Sequence, residues 1–132
     1  MLISNRKSGD MFELSESGRY FLCLYPVKFT NGIDGLYNIV VSNTRLSPMS
    51  GDAFVFFNKS RKMVKILKWD EDGFLLYQKR LVRGRFVLPD FNEKSGCFEL
   101  PWNMFYFIIK GVDLAAVKYH NRLRIKPQPQ AL

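Results

Sequence analysis

The sequence predicts a single α+β domain in which a mixed or antiparallel sheet of about five strands is packed by two helices. Three features lead there. Short apolar runs of strand length, some of them apolar on both faces, alternate with turns rich in Gly, Asp and Ser. Two other segments carry apolar residues at helical spacing. Finally, Asp70-Glu71-Asp72-Gly73 stands between two runs that alternate at period two, the pattern of an antiparallel hairpin.

A chain of 132 residues fits one domain. At that size roughly two-thirds of the surface exposed by the unfolded chain is buried, so folding requires neither metal nor disulfide. The apolar share of 47%, with 15% aromatics, is enough to build a core. Composition divides the chain into an N-terminal arm over 1–17, the α+β domain over 18–117 and a basic tail over 118–132.

The arm is polar and aperiodic, with one short docked piece around Met11-Phe12-Glu13-Leu14. Tyr20 to Tyr25, closed by Pro26, suits a buried strand. Thr30-Asn31-Gly32-Ile33-Asp34 reads as a helix start, with Asn31 as cap and Asp34 placing negative charge in the first turn. Ile33, Leu36, Tyr37, Val40 and Val41 then recur on one face, until Ser47-Pro48 ends the helix. Asp52 to Phe57 is apolar on both faces and belongs at the centre of a sheet.

Lys62 to Trp69 and Phe74 to Val82 form the hairpin, with Gly73 placed for positive φ at its tip. Setting Trp69 opposite Phe74 puts Ile66 opposite Tyr77, Lys65 opposite Gln78, Val64 opposite Lys79 and Met63 opposite Arg80. Val64, Ile66, Leu75, Tyr77 and Leu81 then line the core. The other face mixes Lys65, Gln78 and Arg80 with Met63, Leu67, Trp69, Phe74 and Leu76, an apolar end for a helix to cover and a basic end left in water.

After Arg83 to Pro89 turns and extends again, Ser95 to Leu100 forms a turn and short edge strand. A second helix follows, with Pro101 near its first position and Gly111 just past its end. Trp102, Phe105, Tyr106 and Ile109 mark its main face, and Met104, Phe107 and Ile108 make the remainder apolar too. From Lys118 onward Lys118, Arg122, Arg124 and Lys126 give a flexible basic extension ending in Pro127-Gln128-Pro129-Gln130.

Several function classes lose support at once. No run of about 18 apolar residues exists, and the first residues lack a secretory h-region, so the cytoplasm is the default location. Cys23 and Cys97 lack the spacing of a metal clip or redox pair and read as small buried hydrophobes. The single histidine, His120, lies in the basic tail and reads as a solvated surface residue. Asp70, Glu71 and Asp72 could suggest a two-metal nuclease, but an Asp-rich hairpin tip is ordinary turn chemistry and supporting acids are missing. Gly32 and Gly35 do not form a phosphate-cradling loop. No enzyme, metal or cofactor is expected.

Charge is more informative. Lys and Arg number 20 against 12 Asp and Glu, a net +8 that favours polyanions. The segment from Arg45 to Arg85 alone holds ten cations and four acids. Lys59, Arg61 and Lys62 enter the hairpin, while Arg80, Arg83 and Arg85 leave it. Antiparallel return gathers these six at one end of the sheet, with Lys65 on the adjoining strand as a seventh candidate phosphate contact. The competing reading is a solvated basic rim. Trp102, Phe105, Tyr106 and Ile109 form a candidate partner-binding face, set against plain core packing.

Ordered pieces of the chain also carry a resemblance. They are Gly32-Ile33-Asp34-Gly35-Leu36, the stretch from Leu46 to Lys59, Lys65-Ile66-Leu67-Lys68-Trp69-Asp70, Asp72-Gly73-Phe74, the stretch from Lys79 to Phe86, Pro89, and Gly111-Val112-Asp113. In that order and spacing, over roughly two-thirds of the chain, they resemble the accessory proteins of insertion-sequence 66 transposons, the TnpB type. The resemblance implies a small protein encoded beside a DDE-type transposase and needed for efficient movement of the element. It supplies no catalytic residues. Where the family tends to show an acid and an Arg-Lys pair before the Gly32 position, this chain has Lys28, Thr30 and Asn31.

Charge and resemblance together lead to an accessory factor for transposition that binds element DNA without catalysis, mainly through phosphates. The alternative is an adaptor that docks the transposase through its apolar second helix.

Overall fold

The computed structural model describes residues 14–90 and 95–111, together with the strand pairing of Gln128–Pro129. Of the docked piece expected around Met11 to Leu14 only Leu14 is described, and it is buried in the core; most of the basic tail, His120 included, lies outside the described residues. The elements are β1 (Tyr20–Val27), α1 (Ile33–Asn43), β2 (Ala53–Asn58), β3 (Met63–Asp70), β4 (Gly73–Arg80), β5 (Cys97–Leu100), α2 (Trp102–Lys110) and β6 (Gln128–Pro129).

The strands form one sheet in the order β4-β3-β2-β1-β5-β6. It is mixed: β1 and β2 are parallel, and every other neighbouring pair is antiparallel. Five full strands and two helices make the expected α+β arrangement, with a two-residue β6 added. Because β6 pairs with Phe98 and Glu99, β5 is not the edge strand the sequence suggested.

Alternation along the central strands explains both helices. Tyr20, Leu22, Ala53, Val55 and Phe57 point to one side, where they pack with Met104, Phe105, Ile108 and Ile109 of α2. Phe21, Cys23, Phe54 and Phe56 point to the other, beneath Leu36 and Val40 of α1. Parallel strands cannot be joined by a tight hairpin, and α1 is the crossover that links β1 to β2.

Helix α1 begins at Gly32, which has no side-chain cap bond. Asn31 is not the cap, because its Oδ1 accepts the Lys28 N–H at 2.8 Å and closes the preceding turn instead. The helix ends before the expected Ser47-Pro48. Thr44 leaves it in an extended conformation while its Oγ1 donates to Val40 O at 2.8 Å. Val41, expected on the packed face, is half-exposed. Helix α2 starts after Pro101, the N-cap, and stops at Gly111, whose φ of 83° is the left-handed conformation that lets its N–H reach the last carbonyls.

The β3–β4 hairpin has the expected register, from Met63↔Arg80 to Trp69↔Phe74. Val64, Ile66, Tyr77 and Leu81 join the cluster under α2, whereas Leu75, opposite Lys68, is half-buried outside it. Met63, Leu67 and Phe74 pack beneath α1. The tip differs from expectation: Gly73 is paired with Asp70 inside the ladder, and the positive φ of 56° falls on Glu71.

Candidate nucleic-acid interface

The candidate site forms where β2 ends and the chain reverses into β3. Asn58 organises this reversal: its Oδ1 accepts the backbone N–H of Lys62 at 2.9 Å and of Met63 at 3.1 Å. The Arg61 N–H donates to Asn58 O at 3.0 Å, and the tight turn leaves Arg61 at a φ of 60°. An arginine in the left-handed region carries steric strain that glycine would not.

The exit of the hairpin is fastened to this entrance. Leu81 N–H donates to Lys62 O at 2.8 Å and Phe86 N–H donates to Arg61 O at 2.7 Å. The buried Phe86 ring meets Phe57 edge-on at 5.3 Å and holds the returning segment down. Lys59, Arg61, Lys62, Arg80, Arg83 and Arg85 are therefore brought to one corner, and all six are exposed. The Arg80 guanidinium lies 4.6 Å over the Phe29 ring, which fixes its direction. Among the described residues the one ion pair is Arg19–Glu99, so no described carboxylate is in ion-pair contact with the corner.

Lys65 does not belong to that set. It is 2% exposed, and its Nζ donates to Phe29 O at 2.7 Å and to Asn31 O. The face expected to stay wet at this point is closed by the loop that leads into α1, so no phosphate reaches the ammonium. Desolvation lowers its pKa from the ordinary 10.5. Lys65 instead anchors the loop bearing Phe29, the ring on which Arg80 rests. Lys79 acts similarly on the opposite face, where its Nζ donates to Ile109 O at 2.9 Å at the end of α2.

The second candidate face is also corrected. Phe105 and Ile109 are 0% and 1% exposed, and Phe105 stacks on Tyr20 at 4.2 Å. They are core residues of this domain and are unavailable to a partner. Trp102 and Tyr106 are half-buried at the surface, 5.6 Å apart, with Lys110 Nζ 5.6 Å over the Tyr106 ring.

Asp70, Glu71 and Asp72 form the hairpin turn, and among the described residues no group of three His, Cys, Asp or Glu is placed to hold a metal. No helix among those residues is long and apolar enough to cross a membrane. Cys23 and Cys97, distant in sequence, are cross-strand partners between β1 and β5, with Cys97 Sγ donating to Cys23 Sγ at 2.7 Å. Burial, reinforced by that contact, pushes the Cys23 thiol well above its ordinary range.

Comparisons with known proteins give one family model and two similar proteins. The family described as IS66 Orf2 like protein matches residues 18–119. The chain is 32% identical over 100 residues to the uncharacterized protein y4jC of Sinorhizobium fredii, spanning 76% of this chain and 84% of that protein. It is 33% identical over 69 residues to y4hO of the same organism, spanning 52% and 58%. No solved structure matches.

Lys65 gives a test of the anchoring role. Lys65→Met leaves the carbonyls of Phe29 and Asn31 without their donor, an expected loss of about 1–3 kcal/mol in urea unfolding. Because the folded pKa lies below the unfolded 10.5, the unfolded chain binds more protons between the two values. The desolvation penalty is thus relieved as pH rises through that window. The native protein should gain stability there relative to Lys65→Met; an unchanged urea midpoint at neutral pH would remove the anchor.

Proposed function

The chain belongs to the family of IS66 Orf2-like proteins, and from that premise we propose that it holds element DNA, without catalysis, on the basic corner. Family membership gives the chain a transposition-associated accessory role, distinct from that of the catalytic transposase. What supports DNA as the partner is the joining of the two hairpin ends by the Leu81–Lys62 and Phe86–Arg61 backbone bonds. Those bonds bring the backbone of the two cation-bearing segments together at one corner; all six side chains are exposed, with no described carboxylate in ion-pair contact.

Phosphates neutralised by such a surface release condensed counterions, so affinity falls steeply with salt, with a log–log slope of about −0.9 per phosphate contact on duplex DNA. Contacts of this type set position and orientation and carry little base information. Arg83 and Arg85 stand on the exit segment, where a guanidinium can grip phosphate through two donors. The left-handed backbone of Arg61, shared with the turn residue Glu71, costs strain that glycine would avoid, so the variant Arg61→Gly separates the backbone's contribution from the side chain's.

A second reading, docking of the transposase on α2, keeps Trp102 and Tyr106 as its contacts, because both rings reach the surface. It predicts co-purification with the transposase in the absence of DNA, weakened several-fold by Tyr106→Ala. Undiminished recovery of the folded variant removes it.

Two measurements test the DNA reading. Gel-shift titrations across salt should show a slope that Arg83→Ala with Arg85→Ala reduces by about 2; binding with no salt dependence, or none at low salt, defeats the proposal. Arg61→Gly should raise stability by about 0.5–1 kcal/mol through relief of the left-handed strain, partly offset by added freedom of the unfolded chain. The same variant should bind DNA more weakly. Equal or tighter binding would show that the arginine is not held there for its charge.

A further inference from the structure

The basic corner also contains a pocket, and its origin is an irregularity in the parallel pair. β1 and β2 run in register from Tyr20↔Ala53 to Cys23↔Phe56, and the next pair is Val27↔Asn58. Leu24, Tyr25 and Pro26 therefore share the span that Phe57 alone fills on β2, and β1 swells away from its neighbour. Pro26 has no N–H to give a ladder, which suits a bulge. The opening is a cavity of about 250 Å³ at the carboxyl ends of the two parallel strands, the end at which open sheets hold ligands.

Its lining is graded. Leu22, Phe57 and Leu88 form a buried floor with the half-buried Leu24 beside them, all on the α2 side of the sheet; Tyr25 also borders the opening but packs with Cys23 and Val27 on the α1 side. At the mouth stand Lys59 and Arg61, both exposed and both members of the basic corner. Asn58 is already committed to the turn. The ligand that matches this gradient has a flat, largely apolar body joined directly to an anionic group. The volume is just below the range of about 300–1,000 Å³ typical of larger ligands, so the body is small. A nucleotide has this form, and a base can offer its face to the pocket once it has left the stack.

We propose that the pocket takes one unstacked nucleotide of a DNA strand, its base against Leu24 and Phe57 and its phosphate between Lys59 and Arg61. This rests on the DNA reading above and deepens it: the corner holds the backbone, while the pocket distinguishes an unpaired strand from a paired one. Stacking of a base on an aromatic or apolar wall is tolerant of base identity, so the discrimination is of strand state more than of sequence.

The test compares two DNA probes bound to the full chain at one salt concentration: a blunt duplex, and the same duplex with a short single-stranded extension carrying 2-aminopurine. The extended probe should bind roughly tenfold more tightly, the gain expected from one buried base, with a change in 2-aminopurine emission. Leu24→Ala should lose most of that preference while keeping the blunt-duplex affinity, which also reports that the variant is folded. Equal affinity of the native protein for the two probes overturns the pocket and leaves the corner standing. Absence of binding to either probe at low salt overturns the corner, and the pocket with it. A Leu24→Ala variant that keeps both the preference and the emission change would also overturn the pocket assignment.

Discussion

The parallel pairing of β1 with β2 constrains everything around it. Both strands are apolar on both faces, and Phe21, Leu22, Phe54 and Phe56 are fully excluded from water. Burying a side chain of this kind stabilises the fold by about 1.5–3 kcal/mol, provided both faces are covered. A parallel pair also needs a long connection, and α1 meets that need while covering one face. The other face is left to α2, which Tyr20 receives by stacking on Phe105 and touching Trp102. A sheet of antiparallel hairpins could have left one face in water; this one cannot.

The same constraint places the charge. With both faces covered, polar recognition falls to the rims, the loop corners and the outer sides of the helices. The chain leaving β2 must reverse within a few residues to pair with β3, and Asn58 folds that reversal around its own side chain. The returning segment is stitched to the same turn through Arg61 and Lys62 carbonyls. One lysine is withdrawn from this surface. The carbonyls of Phe29 and Asn31 sit over the sheet and need a donor, and Lys65 supplies it from a strand position otherwise suited to an aliphatic residue. Its charge therefore works inside the fold, and through Phe29 it sets the place of Arg80.

How much of this could be read from the chain depends on the range of the interaction. The hairpin register was legible because period-two alternation and a short acidic tip act locally, and the limits of α2 were legible from Pro101 and Gly111. The parallel pairing was not, since nothing local tells Tyr20 that Ala53 is its neighbour, and mixed and antiparallel sheets stayed equally open. Phe105 and Ile109 illustrate a second limit: a helix apolar on most sides must be covered, but its sequence does not say by what. Lys65 was misplaced because its charge was weighed above its position between Met63 and Leu67, which share its face of the strand and are buried. Asn31 and Glu71 show turn chemistry resolved by neighbours and not by intrinsic preference. The bulge did leave a trace, Pro26 inside an apolar run, although the sequence offered it merely as a strand end.

These limits bear on how the corner can work. Six cations on a rim produce affinity but little selectivity, because every phosphate looks alike. An accessory protein of a mobile element meets far more non-specific DNA than element DNA, so a purely electrostatic grip would leave it distributed over the genome. On the proposed DNA reading, selectivity comes from a transposase that already marks the site, or from a feature of the DNA that ordinary duplex lacks. An uncovered strand end is such a feature, and the swelling of β1 provides a cavity beside the cations where one could be sensed. The cavity exists because β1 keeps its ladder with β2 at both ends while gaining residues in the middle. The proposed pocket is thus made from the same parallel pair that determines the fold, at a point where that pairing gives way.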